Sequence, residues 1–453
     1  MSTDNELQPY GAMAPTVAFH TLGCKVNQHD SDMMAALFAA AGYEVVPFHD
    51  IADVYVINTC TVTHLSDRKS RQMIRRAVSQ NPAAIVAVCG CYVQTAADEV
   101  ARIEGVDVLI GTNERSRIVE AVEAYRQAGE RQILMPSEED LYTFEPVTHA
   151  QVSDRSRAYV KIQEGCNQFC SYCIIPYARG PLRSRRVTDT VSQVQDLVRA
   201  GYREVVLTGI HIGVFGQGLQ DEPGDLTALC RAILAETDLP RLRLGSIECT
   251  EITPDLIRLM AEEPRMAQHL HIPLQAGADK TLSAMNRPYD TEAFRQIMRE
   301  VRAAIPGIAV TTDLMVGFPG ETDDDFRASL IFANDMAFSD MHIFKYSMRG
   351  GTPAAAMPYQ VPAEVKDRRA KQMAVVARKN KEAYARAQIG KTLSVIIEDH
   401  HTDGGVTGHS SNYLKVYIPQ DAPPAKTVAA IEIIDYKDYL LQGQVTSADK
   451  ADG

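Results

Sequence analysis

Residues 158–180 read AYVKIQEGCNQFCSYCIIPYARG, a short strand-like segment followed directly by a cysteine-rich loop. The first five residues are apolar enough for a buried strand of a parallel sheet. Cys166, Cys170 and Cys173 (the loop cysteines) follow it with the spacing Cys-x3-Cys-x2-Cys. Because three thiolates on one short loop can converge on one point, this stretch predicts a single metal centre at the end of a strand.

Five more strand-like segments follow this loop, and stretches of helix length separate them. Strands that alternate with helices are typical of a parallel α/β fold. Six such units predict an open, partial (β/α)6 barrel in a domain over residues 152–389. A full eight-unit barrel is the alternative, but it needs two more units. The five segments are EVVLTG, RLRLGSI, HLHIPL, IAVTTDLMVG and DMHIFKY.

A long charged helix is expected at the end of this domain, over residues 362–389, with Gly390 as its stop. The chain changes character after it. TLSVIIED, NYLKVYIP and KTVAAIEIIDY alternate apolar and polar residues between turns that contain Gly or Pro. Residues 390–447 are therefore predicted to form a small all-β domain, an OB-like barrel.

The region before the barrel, residues 16–130, also alternates strands and helices. Its strand-like segments are VAFHTLG, EVVPF, VYVINTC, IVAVCG and DVLIG, and helical stretches lie between them. This pattern predicts a doubly wound parallel sheet that is covered on both faces. The acidic and then polar stretch from about 130 to 155 is expected to be a linker.

The composition agrees with a folded protein of several domains. Of the 453 residues, 45% are hydrophobic and 23% are charged, which is ordinary for a globular chain. No apolar run approaches the roughly 18 residues that span a bilayer, and the polar N-terminus does not resemble a signal peptide. A net charge of -12 argues against a surface that binds nucleic acid throughout, although it allows local basic patches. The protein is expected in the cytoplasm, where thiols stay reduced.

The loop cysteines leave one coordination position of a metal centre open. A structural zinc is normally closed by a fourth Cys or His within the local motif. A 4Fe–4S cluster held by three cysteines instead keeps one iron free for a substrate or cofactor, and this is the favoured interpretation. A zinc knuckle that borrows a distant His and reactive thiols without metal are the alternatives.

A second set of cysteines is spread along the N-terminal region. Cys24, Cys60 and Cys91 (the N-terminal cysteines) each follow a strand-like segment, and the carboxyl ends of parallel strands face one crevice where such folds bind ligands. They are therefore predicted to hold a second cluster with an open iron; scattered core cysteines are the alternative. Cys91 is favoured over Cys89, because Cys89 still belongs to the strand. Structural roles are expected for Cys230 and Cys249.

These motifs resemble a known family. The spacing of the loop cysteines, with Tyr172 before the last one, resembles the motif of the radical S-adenosylmethionine (SAM) superfamily. Six further segments, in family order, resemble the methylthiotransferase family, and the match extends from about Val17 to the C-terminus. They are TLGCKVNQHDSD, INTCTVT, CGCYVQ, LTGIHIG, HIPLQAGADKTLSAMNR and GFPGET.

Within that family, the Cys24 segment and LTGIHIG most resemble the branch that methylthiolates N6-threonylcarbamoyladenosine in tRNA. The isopentenyladenosine branch usually carries a Gln-Met pair after the first cysteine, where this chain has Lys25 and Val26, and the ribosomal-protein branch usually has a Pro-Lys pair. The resemblance implies a tRNA-modifying enzyme that adds a methylthio group to C2 of this adenosine at position 37. Methylthiolation of isopentenyladenosine or of a ribosomal-protein aspartate, and a non-catalytic iron–sulfur or zinc protein that binds RNA, are the alternatives.

The resemblance also implies the cofactors. One 4Fe–4S cluster is expected on the loop cysteines and a second on the N-terminal cysteines, with SAM chelated to the open iron of the first. Reductive cleavage of SAM gives a 5′-deoxyadenosyl radical, and the second cluster carries the sulfur that is inserted, so an electron donor and a sulfur donor are expected partners. A radical suits this substrate, since the C2–H of adenine is not appreciably acidic.

Seven residues other than cysteine are implied to contact SAM. All but the tyrosine lie on or just after strand-like segments of the barrel, where Thr, Ser and Gly often only shape turns. They are Tyr172 against the adenosyl group, Thr208 and Gly209 near the amino group, Ser246 and Glu248 near the ribose or methionine part, and Asp313 and Gly317 near the adenine.

The expected RNA partner is a tRNA anticodon stem-loop, because bases in a loop can be splayed out and stacked. Three basic stretches, Arg68 to Arg76, Arg179 to Arg186 and Lys366 to Lys381, are candidates for phosphate contacts, although such runs are usually only solvated faces. The predicted C-terminal barrel resembles a TRAM domain, an RNA-binding barrel. Over residues 391–446 it carries four lysines against seven acidic residues, a poor balance for binding phosphate.

Overall fold

The computed structural model describes residues 14–137, 139–145, 156–217, 219, 224–401, 404–420 and 423–446. They form a parallel α/β unit, a partial barrel of parallel strands and a small closed β-barrel, in that order along the chain. The predicted fold class is thereby confirmed. In the described part of the chain, none of the helices has the length and the apolar character that a membrane span needs.

The N-terminal unit is a six-stranded parallel sheet with the order β2-β1-β3-β4-β5-β6. Its strands are β1 (Thr16–Thr21), β2 (Glu44–Val46), β3 (Val54–Thr59), β4 (Ile85–Gly90), β5 (Val108–Ile110) and β6 (Gln132–Leu134). Its helices are α1 (Lys25–Ala40), α2 (His64–Gln80), α3 (Cys91–Ala101) and α4 (Ile118–Ala128). Val54 of β3 lies opposite Val17 of β1 and Ile85 of β4, so these three strands run side by side through the centre.

Helices cover both faces of this sheet, and every residue of β3 and β4 is buried. Phe38 of α1 and Val122 of α4 pack on one face, and Ile74 of α2 and Val100 of α3 pack on the other. The prediction of a doubly wound sheet is therefore right. The predicted linker is wrong at its start, since β6 pairs with β5 at the edge of the sheet. Three residues are too few to show an alternating pattern in the sequence.

The central unit contains the six predicted barrel strands. After β7 (Arg157–Lys161), a hairpin of β8 (Gln163–Glu164) and β9 (Arg183–Ser184) encloses the cysteine loop. The first barrel sheet joins β7 to β10 (Glu204–Thr208) and β11 (Arg241–Leu244), and the second joins β12 (His269–His271), β13 (Ala309–Val316) and β14 (Asp340–Lys345). Bridges between Leu242 and Met266 and between Ser246 and His271 link the two sheets. The described residues supply six barrel strands, so the eight-unit alternative is wrong.

The helices of this unit follow the strands in turn. They are α5 (Ile175–Arg179), α6 (Val187–Arg199), α7 (Leu226–Glu236), α8 (Pro254–Glu262), α9 (Asp279–Ala284), α10 (Thr291–Ala304), α11 (Asp323–Asp335), α12 (Pro353–Ala356) and α13 (Ala363–Arg386). Short 3-10 turns lie at Arg115–Arg117, Asp140–Tyr142, Ile212–Val214 and Cys249–Glu251. The long charged helix that the sequence predicts is α13, and Gly390 follows its end with a φ of +81°.

The barrel strands have one apolar and one polar face. Val205 and Leu207 of β10 join the core that also contains Val194 of α6 and Leu229 of α7. Glu204 of the same strand instead pairs with charged residues on β7 and β11. Because successive side chains of a strand point to opposite faces, the helices cover the outside of the barrel and the polar face lines its interior.

The C-terminal unit is a closed barrel of five strands with the order β15-β16-β17-β19-β18. They are β15 (Thr392–His400), β16 (Val406–Ser410), β17 (Lys415–Ile418), β18 (Val428–Lys437) and β19 (Leu440–Val445). The sequence predicts β15, β17 and β18 but not β16 or β19. A Cβ on Gly408 of β16 would lie 2.2 Å from the carbonyl oxygen of Ile396. The close approach of two strands thus requires a glycine, which interrupts the alternation by which strands are recognised.

Both flanking units pack against the central barrel through buried polar contacts. Asp30 of α1 accepts hydrogen bonds from Lys161 of β7 (2.6 Å) and from Arg115 (2.5 Å). Arg241, the first residue of β11, donates to the carbonyl oxygens of Ser394 (2.9 Å) and His409 (3.0 Å) in the small barrel. The N-terminal unit therefore lies beside β7, and the small barrel lies at the amino ends of the first barrel strands.

Candidate functional site

The start of the cysteine loop is held by the hairpin that encloses it. The N–H of Cys166 donates to the carbonyl oxygen of Gly180 (3.2 Å). Gly165 precedes it with a φ of +71°, and a Cβ there would lie 1.9 Å from the carbonyl oxygen of Pro181. Only glycine fits such a close approach in this conformation, so the glycine before the first cysteine positions the loop.

Nitrogen donors face two of the three loop cysteines. Nη1 of Arg287 donates to Sγ of Cys170 (3.2 Å), and Nδ1 of His211 lies 3.6 Å from Sγ of Cys166. Burial, together with the nearby thiolates of Cys170 and Cys166, raises the pKa of the Cys173 thiol to about 12. Buried thiols that oppose one another's ionisation become thiolates when a metal binds them. The donor set therefore fits a metal cluster with three sulfur ligands.

Acidic residues hold both of these nitrogen donors. Arg287 pairs with Glu248, and His211 pairs with Glu251. Although burial acts to lower the pKa of His211, its hydrogen bonds with Cys166 and Glu251 raise it to about 10. Sequence reasoning missed Arg287 and His211. Both lie inside motifs of the resemblance, but the contact with a thiol depends on segments that are distant in the chain.

The N-terminal cysteines meet at the carboxyl ends of three neighbouring strands. Cys24 lies between β1 and α1, Cys60 follows β3, and Cys91 begins α3 after β4. A Cβ on Gly23 would lie 3.0 Å from Sγ of Cys60, so the turns that carry Cys24 and Cys60 touch. Burial raises the pKa of Cys91 to about 11; Arg179 opposes this shift, and Cys60 and Cys24 add to it. The structure brings together the three cysteines that the sequence places far apart.

Cys89 lies inside the sheet. It is completely buried, its Sγ is 3.8 Å from Sδ of Met34 on α1, and burial raises its pKa. Its thiol is thus engaged in the apolar packing between the sheet and α1. The two cysteines for which structural roles are expected, Cys230 and Cys249, are buried in the core of the barrel.

The first residues expected to contact SAM lie near the cysteine loop. Tyr172 is half-buried against the barrel core, and burial raises its pKa. Thr208 is the last residue of β10 and is buried. A Cβ on Gly209 would lie 2.9 Å from the carbonyl oxygen of Gln163. Gly209 is therefore required for the approach of β10 to β8.

Ser246 and Glu248 follow β11 at the same end of the barrel. Ser246 is exposed and bridges to His271 of the next strand. The carboxylate of Glu248 already has Arg287 as its partner, and burial raises its pKa. A contact between Glu248 and SAM stays a prediction.

Asp313 and Gly317 lie on or after β13. Oδ1 of Asp313 is 3.3 Å from Nε2 of His271. Donor atoms of Asp313, His271 and His342 lie within 4.8 Å of one another. These residues are on three adjacent strands, and the sequence does not reveal the grouping. The N–H of Gly317 donates to the carboxylate of Glu321.

The basic stretches differ in their exposure. Arg179, Arg183 and Arg185 are buried and donate to Glu164, Asn113 and Gln193 respectively. The expectation of phosphate contacts is wrong for these three, because a sequence does not distinguish an arginine that faces solvent from one that joins two domains. Arg369 of α13 is likewise buried, against Glu321. On α2, the exposed basic residues are Arg68, Lys69, Arg75 and Arg76.

Comparison with known proteins adds two matches to families and several to individual proteins. Residues 16–111 match the uncharacterized protein family UPF0004, and residues 160–333 match the radical SAM superfamily. The threonylcarbamoyladenosine tRNA methylthiotransferase MtaB of Bacillus subtilis (strain 168) is 42% identical over 88% of this chain and 90% of its own length. The protein of the same name from Aquifex aeolicus (strain VF5) is 36% identical over 85% and 93%. The tRNA-2-methylthio-N(6)-dimethylallyladenosine synthase of Moorella thermoacetica (strain ATCC 39073 / JCM 9320) is 33% identical over 94% and 97%.

A solved structure supports the fold. The radical S-adenosylmethionine methyltransferase TsrM from Kitasatospora setae, with cobalamin and a 4Fe–4S cluster bound, matches with a TM-score of 0.56. The match covers 76% of this chain and 77% of that one, at 16% sequence identity. An α/β unit that precedes a partial barrel of the radical SAM type is therefore an arrangement with a known counterpart.

Proposed function

This chain belongs to the radical SAM methylthiotransferase family, and we propose that it adds a methylthio group to C2 of N6-threonylcarbamoyladenosine at position 37 of tRNA. The observation that carries the proposal is the 42% identity, over 88% of the chain, to a relative named for this activity. The anticodon stem-loop of tRNA is the proposed partner.

The radical SAM match implies SAM and an iron–sulfur cluster as cofactors. We extend this to two 4Fe–4S clusters, one on the loop cysteines and one on the N-terminal cysteines. When bound, the clusters and SAM would supply the radical and the sulfur atom that the reaction needs, and a second SAM would supply the methyl group. The support is that each set gathers three thiols beside a buried arginine. The proposed ligands are Cys166, Cys170 and Cys173 in the first set and Cys24, Cys60 and Cys91 in the second.

The two arginines orient and stabilise the thiolates. Arg287 donates to Cys170 and also pairs with Glu248. Arg179 donates to Cys91 and also pairs with Glu164. A guanidinium stays charged at every working pH, so the sulfurs of Cys170 and Cys91 each keep a positively charged partner. Hydrogen bonds of this kind fix the geometry of metal ligands and tune the metal centre.

SAM is proposed to bind where the cysteine loop meets the carboxyl ends of the barrel strands, since barrels of this class place ligands at that end. Thr208 ends β10, and Glu248 follows β11 beside Arg287. These positions support contacts with the polar parts of SAM. The complete proposed set is Tyr172, Thr208, Gly209, Ser246, Glu248, Asp313 and Gly317.

The RNA is proposed to lie across the exposed basic face of α2, which begins shortly after Cys60. Lysines and arginines there would neutralise phosphates of the stem-loop. An electron donor and a sulfur donor complete the reaction, which we place in the cytoplasm with its tRNA substrate. We propose the domain limits 152–389 and 390–447, the last being a TRAM-like domain, and we extend the N-terminal domain from 16–130 to residue 134, because β6 completes its sheet.

Mass spectrometry of tRNA nucleosides from a deletion strain tests the substrate. The methylthio form of N6-threonylcarbamoyladenosine should disappear and return when the gene is supplied again. If that nucleoside is unchanged and the methylthio form of isopentenyladenosine is lost, the proposed substrate is wrong. A relative that is 33% identical is named for methylthiolation of dimethylallyladenosine. Measuring both methylthio nucleosides therefore decides between the two substrates.

Metal analysis tests the chemistry independently. Anaerobically reconstituted protein should contain about eight irons and eight sulfides per chain if both clusters form. Zinc without sulfide would support the non-catalytic alternative and reject the radical mechanism.

A further inference from the structure

A cavity of about 640 Å³ lies beside Cys24, between α1, β7 and β15. It is open to one side, and polar side chains from all three units of the protein line it. Lys25, the first residue of α1, is half-buried in its wall. Among the other lining residues are Arg157, Tyr159, Glu398 and Asp399. The cavity is therefore adjacent both to the proposed second cluster and to the polar interior of the barrel.

Three cations surround a single aromatic ring next to this cavity. The ring is that of Tyr413, from the small barrel. Arg243 lies 4.6 Å from its centroid, Arg157 lies 5.3 Å from it, and the Nζ of Lys25 lies 5.7 Å from it. Cations gathered this closely repel one another unless negative charge is present between them.

The two arginines form ion pairs with acidic residues, whereas the lysine forms none with the residues that the structure describes. Glu204 pairs with Arg243 (2.7 Å) and with Arg157 (2.9 Å), and Arg157 also pairs with Glu398 (3.1 Å). Within the described ranges, the ammonium of Lys25 makes no ion pair or hydrogen bond. The Tyr413 ring lies 5.7 Å from it, and Glu204 attracts it from beyond ion-pair distance.

The acidic groups around the cavity are engaged mainly by other cations. Glu398 is already shared between Arg157 and His409, whose Nδ1 lies 2.5 Å away. Asp399 lines the cavity but is exposed, and it forms no ion pair with Lys25. Glu204 also accepts from a third arginine, Arg241 (3.3 Å). Lys25 is thus a cation in a partly buried cavity, where an anionic ligand would be bound strongly.

The substrate of the proposed function carries such an anion. The threonylcarbamoyl group attached to N6 ends in a carboxylate, whereas a dimethylallyl group at that position is uncharged. C2 and C6 of adenine both adjoin N1, so they lie on the same side of the base. Cys24 and Lys25 line the same cavity, so a base whose C2 faces the cluster on Cys24 can direct its N6 substituent toward Lys25.

We propose that Lys25 binds the carboxylate of the threonylcarbamoyl group and thereby selects this adenosine over bases that lack the anion. This inference rests on the proposed function and names the residue that recognises its substrate. The Tyr413 ring lies 5.7 Å from the ammonium. Glu204 and Glu398 neutralise the neighbouring arginines, so Lys25 is the cation left for the ligand. The cavity beside Cys24 is the subsite for the threonyl part of the base.

The test compares two anticodon stem-loop RNAs with the reconstituted full-length enzyme. One RNA carries N6-threonylcarbamoyladenosine, and the other carries the methyl ester of the same group, which removes the charge and keeps the shape. The wild-type enzyme should prefer the acid by at least about tenfold in kcat/KM, the scale of one charged hydrogen bond. Lys25→Met should reduce this ratio to near one, and Lys25→Arg should restore most of it.

The ratio separates recognition from damage to the neighbouring cluster. Both RNAs use the same clusters and SAM, so a disturbed Cys24 site lowers both rates equally. Lys69→Met, on the exposed face of α2, is the matched control: it should weaken both RNAs alike and leave the ratio intact. If Lys25→Met is inactive on both RNAs, their equilibrium binding to this variant is compared instead, and the wild-type difference in affinity should be absent.

The remaining results reject either the inference about Lys25 or the proposed function. A wild-type preference that survives Lys25→Met overturns the inference and leaves the proposed function standing. Equal loss for both RNAs at Lys25→Met, with the ratio kept and the iron content at the wild-type value, identifies Lys25 as a contact common to both RNAs and also overturns the inference. A wild-type enzyme that modifies neither RNA, but does modify one with a dimethylallyl group, rejects the proposed function itself.

Discussion

Arg179 donates a hydrogen bond from its Nε to the Sγ of Cys91, across a distance of 3.3 Å. Arg179 ends the short helix α5 that follows the loop cysteines, whereas Cys91 begins a helix of the N-terminal unit. The same guanidinium pairs with Glu164, which precedes the loop, at 2.8 Å. One buried side chain therefore connects the N-terminal cysteines to the strand that precedes the cysteine loop, and it offsets negative charge at Cys91 and at Glu164.

We expect Arg179→Met to destabilise the metal-free protein strongly. The change leaves Glu164 and Asp30 buried with one cation fewer, and breaking a buried ion pair costs roughly 3–5 kcal/mol. The free energy of unfolding, measured with urea, should fall by about that amount. Arg75→Met, on the exposed face of α2, is the control and should alter stability by less than about 0.5 kcal/mol. Equal losses for both variants would show that the buried contacts of Arg179 contribute little.

The two sets of cysteines should have separable roles. Replacing any loop cysteine with Ala should abolish SAM cleavage, because the proposed SAM-binding iron is lost. Replacing any N-terminal cysteine should spare cleavage and stop sulfur insertion. Product analysis by liquid chromatography and mass spectrometry reports both activities in one reaction. Retained methylthiolation in any of the six variants removes that residue from the proposed ligands.

Cys89→Ala is the matched control for Cys91→Ala. Cys89 is buried against Met34 in the sheet, so its loss should cost on the order of 1 kcal/mol of stability through a small cavity. The iron content should stay at the wild-type value. A loss of about four irons in Cys89→Ala, with the full iron content in Cys91→Ala, would show that Cys89 is the cluster ligand and that Cys91 is not.

Gly165→Ala should disrupt the cysteine loop. The substituted residue would keep a φ of +71°, and its Cβ would meet the carbonyl oxygen of Pro181, so the hairpin of β8 and β9 has to open. SAM cleavage should be lost, while the iron on the N-terminal cysteines is retained. Gly201→Ala is the control, since Gly201 has a φ of +90° and nothing within 4 Å of a Cβ. Gly201→Ala should lower the free energy of unfolding by about 1 kcal/mol and leave SAM cleavage active.

Protonation of Glu204 at acid pH should weaken its ion pairs with the arginines that join the barrel strands to the small barrel. Burial acts to raise the pKa of Glu204, but Arg243 and Arg157 outweigh it and lower this pKa to about 2. The pKa in the unfolded chain is about 4.3, so the folded state is stabilised above that pH by about 3 kcal/mol, and the stabilisation is lost as the pH falls from about 4.3 toward 2.

Urea unfolding of the metal-free protein at several pH values measures this effect. The wild type should be more stable than Glu204→Gln at pH 7, and the difference should shrink steadily below about pH 4. A difference that is independent of pH would show that Glu204 acts through packing instead of charge.

Much of the fold was open to prediction because it depends on local patterns. Strands such as AYVKI and IVAVCG are short apolar runs bounded by glycine and polar residues, and they appear where expected. The edge strand β6 and the small-barrel strands β16 and β19 did not appear in the prediction. Their pairing partners, and not their own residues, make them strands.

The candidate site likewise has parts that the sequence predicts and parts that it does not. The loop cysteines are close in sequence, so one short motif indicates their convergence. The basic stretch around Arg183 was misinterpreted as an RNA contact, because its hydrogen bond to Asn113 of another unit is not visible in the chain.

Residue order alone established the class of fold, the two trios of cysteines and the family, because hydrophobic periodicity and cysteine spacing are local properties of the chain. Tertiary packing established what surrounds those cysteines: Arg179 lies beside Cys91, Arg287 lies beside Cys170, and Lys25 lies beside Cys24 with the Tyr413 ring near its ammonium. These relations join segments from different units. Their energies depend on burial and on the sum of nearby charges, which exist only once the three units have packed together.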